Sequence, residues 1–106
     1  MGKNTSNSIA EDISTILKAK FGHHVKAVIL FGSRARGDYQ EWSDYDLIVL
    51  VDKKTPELRE AISETAWELG FSRNVTISIL VFEKERFDSD KYEPLFMNVR
   101  KEGVRV

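Results

Sequence analysis

The feature that most constrains this chain is a pair of apolar, β-branched runs with no helix between them. Val25–Phe31 (VKAVILF) breaks at Gly32, and residues 32–43 are polar with two glycines, so they read as a loop or a single helical turn. The next strand is drawn from Asp44 to Asp52. Beyond Asp46, its residues Leu47, Val49 and Val51 face one way and Ile48 and Leu50 the other, the pattern of a central strand covered on both faces. Two strands in direct succession argue against a purely doubly wound sheet, in which helices alternate with strands.

Helices flank this pair. Ser8 suits the N-cap of a helix from about Ile9 to Lys20, with Ile9, Ile13, Ile16 and Leu17 on one face and Gly22 as its stop. Thr55-Pro56 is a helix start, a capping hydroxyl followed by proline at the first helical position; that helix runs to about Leu69 and stops at Gly70. Leu58, Ile62, Ala66 and Leu69 share one of its faces. Val75–Phe82 reads as a third strand, followed by a short helix around Glu93 to Lys101 and an extended Val104-Arg105-Val106. The order predicts an α+β fold, a small mixed β-sheet with helices packed mainly on one face, in a single domain spanning 1–106.

Composition narrows the class. With 42% hydrophobic and 31% charged residues the chain reads as soluble and globular. A net charge of −1 supplies no global basic field for nucleic acid or membrane. The absence of cysteine excludes disulfides, thiolate metal sites and cysteine nucleophiles. No apolar run is long enough to span a bilayer, and Met1–Thr5 lacks a signal-peptide core, so a cytoplasmic protein is expected.

The chemistry concentrates in Phe31–Asp46. A strand runs into Gly32-Ser33, where glycine lets backbone amides approach a ligand and serine offers a hydroxyl. Amides exposed at such a turn bind phosphate oxygens, and Arg34 and Arg36 add positive charge beside them. After ten intervening residues come Asp44 and Asp46, which strand geometry points to the same side. Paired carboxylates repel unless a cation sits between them, and oxygen ligands beside a phosphate site suit Mg²⁺. Separately, a Gly-Ser turn is commonly just a surface turn and an Asp-x-Asp pair is often simply solvated; their conjunction is the signal.

That conjunction, GSRARG followed by SDYDLIVL, resembles the polymerase-beta-type nucleotidyltransferases, and specifically the minimal nucleotidyltransferases of bacteria and archaea. The likeness extends over nearly the whole chain. It implies that Gly32 and Ser33 hold the triphosphate of an NTP, ATP being the expected one, and that Asp44 and Asp46 hold Mg²⁺. It implies transfer of a nucleoside monophosphate to a hydroxyl with release of pyrophosphate. It also implies a helical partner of the HEPN family, toward which such proteins act as antitoxins. Full members carry a third carboxylate on the strand corresponding to Val75–Phe82, and that strand has no acid here. Ser78 is the expected equivalent, with Thr76 the other polar slot; Glu83 and Asp88 lie beyond the predicted strand. A catalytically weak nucleotide-binding or partner-binding module of the same fold is therefore the alternative.

Other residues are weighed without the family. His23-His24 suits a solvated turn better than a metal site. Trp42 could stack on a base, cover the site or anchor its loop on the core. Trp67 points away from the apolar stripe of its helix, to be covered by the C-terminal segment or to serve as a partner contact. The charged run Glu83–Arg86 reads as a solvated face.

Overall fold

A computed structural model describes residues 5–106, with side chains from Ser8 onward; Met1–Asn4, read above for a leader, lie outside the described residues. In chain order come α1 (Thr5–Phe21), a 3-10 turn (Gly22–His24), β1 (Val25–Phe31), α2 (Ser33–Arg36), β2 (Tyr45–Val51), α3 (Pro56–Arg73), β3 (Ile77–Glu83), α4 (Lys84–Ser89), α5 (Pro94–Glu102) and β4 (Val104–Arg105). The sheet has the order β3-β2-β1-β4, with β1 antiparallel to both β2 and β4 and β2 parallel to β3. α3 makes the crossover that a parallel pair requires.

β2 is the central strand that its two-sided apolar pattern predicts. On one face Tyr45, Leu47, Val49 and Val51 join Val28 and Leu30 of β1 beneath α1 and α3, which contribute Ile13, Leu17 and Ile62. On the other face Ile48 and Leu50 join Ala27 and Ile29 beneath Phe87 of α4 and Phe96 and Val99 of α5. The two long helices thus share one face and the two short ones close the other. Each fully buried aliphatic side chain of this kind contributes about 1.5–3 kcal/mol, so β2 is the most firmly held element.

Several boundaries move, each for a local reason. α1 starts at Thr5, so Ser8 lies one turn inside the helix rather than capping it. Gly22 does end it, at φ +60°. Thr55 caps α3 as expected, accepting from the Leu58 N–H at 3.1 Å. The helix passes through Gly70 to Arg73, and Asn74 at φ +57° ends it instead. Gly70 instead makes room for the returning chain, which donates Val75 N–H to its carbonyl at 2.9 Å; a Cβ there would sit 2.7 Å from the Val75 carbonyl oxygen. β3 consequently begins at Ile77 and runs on to include Glu83. The charged run that follows is not merely a solvated face, because it opens α4 and buries Phe87. The chain ends by pairing Val104 with Leu30, while the Ser14 hydroxyl donates to the Val106 carbonyl at 3.1 Å. Among the described residues no helix is long and apolar enough to cross a membrane.

Candidate active site

The sheet brings three sequence-predicted positions together at one end. β1 ends where β2 begins, with Phe31 opposite Asp46, and Asp46 in turn lies opposite Ser78 of parallel β3. Gly32 follows Phe31 directly. Its φ is +76°, and a Cβ there would lie 2.4 Å from Oδ2 of Asp46, so both backbone and contact require glycine. Its carbonyl accepts from the N–H groups of Ala35 and Arg36, both at 3.1 Å, which makes α2 a single turn opening on Ser33.

Arg34, expected beside the phosphate, is buried and occupied with the loop. Its guanidinium donates to the carbonyls of Glu41 at 3.0 Å and Ser43 at 3.0 and 3.2 Å. It is also sandwiched between the rings of Tyr39 and Tyr45, at 4.4 and 4.3 Å. The planar fork thereby closes the loop and sets where Asp44 emerges. Arg36 stays exposed, bridging Asp38 at 3.3 Å and Glu102 at 3.5 Å. Neither spacing nor pattern in the sequence pointed to Glu102.

Asp44 stands just before β2 and is exposed, while Asp46 is half-buried. Burial first, and the Asp44 carboxylate second, push the Asp46 carboxyl above its ordinary range, and Arg36 pulls it partway back. Two mutually repelling oxygen donors, one poorly hydrated, are a donor set that a hard divalent cation would relieve. Ser78 is the β3 position nearest Asp46, on a strand about 4.8 Å away, whereas Thr76 precedes the strand and its carbonyl accepts from Tyr45 N–H at 2.9 Å. Glu83 pairs with Val51 at the far end of the ladder, five residues from Ser78, roughly 17 Å along the strand; it cannot take the third position. Asp88 is ion-paired to Lys84 at 2.6 Å.

His23, His24 and Asp52 form the group of potential ligands found among the described residues, with atoms within 4.8 Å of one another. They sit at the opposite end of the β1–β2 pair, where His24 Nδ1 lies 3.0 Å from Asp52. Trp42 is 79% exposed and does not anchor its loop in the core; Trp67 is 69% exposed and is not covered by the C-terminal residues. Both line a cavity of about 550 Å³ between the loop and the end of α3, together with Phe71. Phe71 escaped the sequence reading because the expected helix stops at Gly70, whereas α3 runs on to Arg73. Its spacing of four from Trp67 was the available signal.

A family model described as nucleotidyltransferase domain matches residues 10–101. The chain belongs to that family. It is 45% identical over 76 residues, 70% of this chain and 72% of the relative, to a protein of Methanocaldococcus jannaschii assigned as a protein adenylyltransferase. A second protein of that organism with the same assignment is 32% identical over 100 residues, 94% of this chain and 95% of the relative. Among solved structures, one assigned as a minimal nucleotidyltransferase superposes with TM-score 0.64 at 23% identity, covering 95% of both chains. A toxin–antitoxin structure with AMP-PNP gives 0.65 at 19% identity, over 90% of this chain and 70% of that one. These structural likenesses speak to the fold.

Proposed function

We propose that this nucleotidyltransferase is a Mg²⁺-dependent adenylyltransferase that moves AMP from ATP to a protein hydroxyl. The observation that carries the reading is the contact of Gly32 with Asp46, which sets a glycine-serine turn directly against a carboxylate pair. Gly32 and Ser33 would receive the triphosphate on backbone amides and the serine hydroxyl, with Arg36 neutralising charge nearby. Asp44 and Asp46 would hold Mg²⁺, which when bound screens phosphate charge and orients the nucleotide. The acceptor oxygen bonds to the α-phosphorus as the bond to pyrophosphate breaks. The hydroxyl proton passes to solvent, because β3 offers Ser78 rather than a carboxylate beside Asp46.

The relatives assigned as protein adenylyltransferases support a protein acceptor. The toxin–antitoxin neighbours support a toxin partner, with this chain as its antitoxin; the resemblance of the motif points to a partner of the HEPN family and to a pair acting in the cytoplasm. A second reading, a nucleotide-binding antitoxin with little turnover, is favoured by Ser78 alone. Incubation with the co-expressed partner and MgATP, followed by intact mass of both chains, tests the first reading. A mass increment of one AMP on the partner supports it; an unmodified partner with MgATP still bound turns the choice to the second.

A further inference from the structure

We propose that the outer face of α3 is a docking surface for a partner protein that presents a cationic amphipathic helix with an apolar anchor. At 100° per residue, Glu57, Glu60, Glu64, Trp67, Glu68 and Phe71 fall within a sector of about 100°. All six are exposed. The helix's two cations, Arg59 and Arg73, lie outside that sector. No ion pair engages any of the four glutamates among the described residues. At the C-terminal end of the stripe Trp67 and Phe71 stack at 5.6 Å, with 69% and 78% of their surfaces open to solvent. They form one wall of the 550 Å³ cavity, which Trp42 borders from the other side.

An acidic track leading to an aromatic cavity is complementary to a helix with lysines or arginines along its length and an apolar side chain near one end. The carboxylates would steer the encounter and set register, and the desolvated aromatic end would supply most of the affinity. The charge also selects among occupants. A second copy docked face to face would bring carboxylates against carboxylates in an isologous contact. Nucleic acid and anionic bilayers carry the same sign as the track. Trp42 lies two residues before Asp44, so the anchored end of a docked chain would touch the loop that leads into the candidate active site. The surface nevertheless stands on its own features, whether or not the chain transfers a nucleotide.

The test uses a synthetic Lys/Leu amphipathic peptide of about 18 residues, five helical turns, and the same peptide with every lysine replaced by glutamate. Calorimetry and tryptophan fluorescence would report binding to the full chain. The lysine peptide should bind, the glutamate peptide should bind at least about tenfold more weakly, and Trp67→Ala/Phe71→Ala should weaken the lysine peptide by about tenfold or more. Glu60→Lys/Glu64→Lys should reverse the preference, with circular dichroism verifying the fold of each variant. Equal binding of both peptides, or lysine-peptide binding untouched by the aromatic double variant, overturns the proposal. So does a concentration-dependent dimer that Trp67→Ala abolishes, or vesicle binding that depends on the same aromatics.

Discussion

β2 has an aspartate near each end, and the two live in opposite electrostatic circumstances. Asp46, its second residue, is half-buried against Gly32 beside another carboxylate, and its carboxyl is held above the ordinary range. At Asp52, just past the last residue, burial pushes upward too. There the Lys53 N–H at 2.7 Å and the His24 ring at 3.0 Å outweigh it, and the carboxyl is held below that range. One acid has hydrogen-bond donors within the chain; the other has none among the described residues, and there a like charge outweighs the attraction of Arg36. Half-buried acids left in that condition are candidates for places where a ligand supplies the missing charge. The candidate site is therefore recognisable as much by what opposes Asp46 as by the motif it belongs to.

The comparison breaks most directly with Asp44→Asn/Asp46→Asn. Calorimetric titration with MgATP should show affinity falling by about 10²-fold or more, roughly 3 kcal/mol, while Asp52→Asn leaves binding unchanged. Binding retained by the double variant would put the nucleotide elsewhere.

Next in size is Ser78→Asp. Position 78 is in register with Asp46, so the new carboxylate would stand beside it on the same face of the sheet. General-base assistance is worth roughly 10²–10⁴-fold in rate, so nucleotide transfer to the partner should rise toward that range with little change in nucleotide affinity. Ile77→Asp serves as the control, because its side chain packs in the core and a charge there should compromise folding. Transfer that is already robust and indifferent to Ser78→Asp would mean that another group accepts the proton.

Arg34 sharpens the contrast between residues that build the site and residues that would touch its ligand. Replacing it by alanine strands the Glu41 and Ser43 carbonyls and empties the gap between Tyr39 and Tyr45. Urea unfolding should register a loss of about 2–4 kcal/mol for Arg34→Ala and about 1–2 kcal/mol for Arg34→Lys, which keeps the charge without the fork. A change confined to nucleotide affinity would return Arg34 to the phosphate side.

The sequence carried different parts of this molecule with different fidelity. β1 was legible to the residue, because a β-branched run bounded by Gly22-His23-His24 and Gly32 admits little else. The two-sided pattern of β2 announced a strand with cover on both faces, and Thr55-Pro56 announced the start of α3. What failed depended on partners distant in sequence. Gly70 looked like a helix stop and is a close-approach site for the chain returning at Val75. Arg34 looked like a phosphate ligand and is committed to carbonyls seven and nine residues on. α4 hid because a single buried aromatic, Phe87, in a charged hexapeptide gives no periodicity to read. Motif spacing could suggest that Gly32 and Asp46 converge, but only the sheet register brings Ser78 beside them and removes Glu83.

The smallest expected effect is also the most direct test of the two aspartates, because their substitutions should change stability in opposite directions. For Asp46 the folded carboxyl lies above the ordinary value of 3.8. The folded state then holds more protons than the unfolded one as pH climbs from 3.8 toward the raised value, so stability falls across that window and stays lower above it. Asp46→Asn removes the penalty, and its urea midpoint in nucleotide-free, metal-free buffer should exceed the wild-type midpoint increasingly as pH rises through the window. For Asp52 the folded carboxyl lies below 3.8. Its stabilisation is present above that value and is lost as pH falls through the lowered one, so Asp52→Asn should unfold more easily than wild type near neutrality and converge with it in acid. Both difference curves open with rising pH, one upward and one downward. Excess Mg²⁺ with ATP should erase the advantage of Asp46→Asn, because ligand binding to the wild-type site adds stability that the variant cannot gain. Two curves of the same sign would mean that the repulsion between Asp44 and Asp46 is already relieved within the chain, and the resemblance between Asp46 and an acid awaiting a cation would be lost.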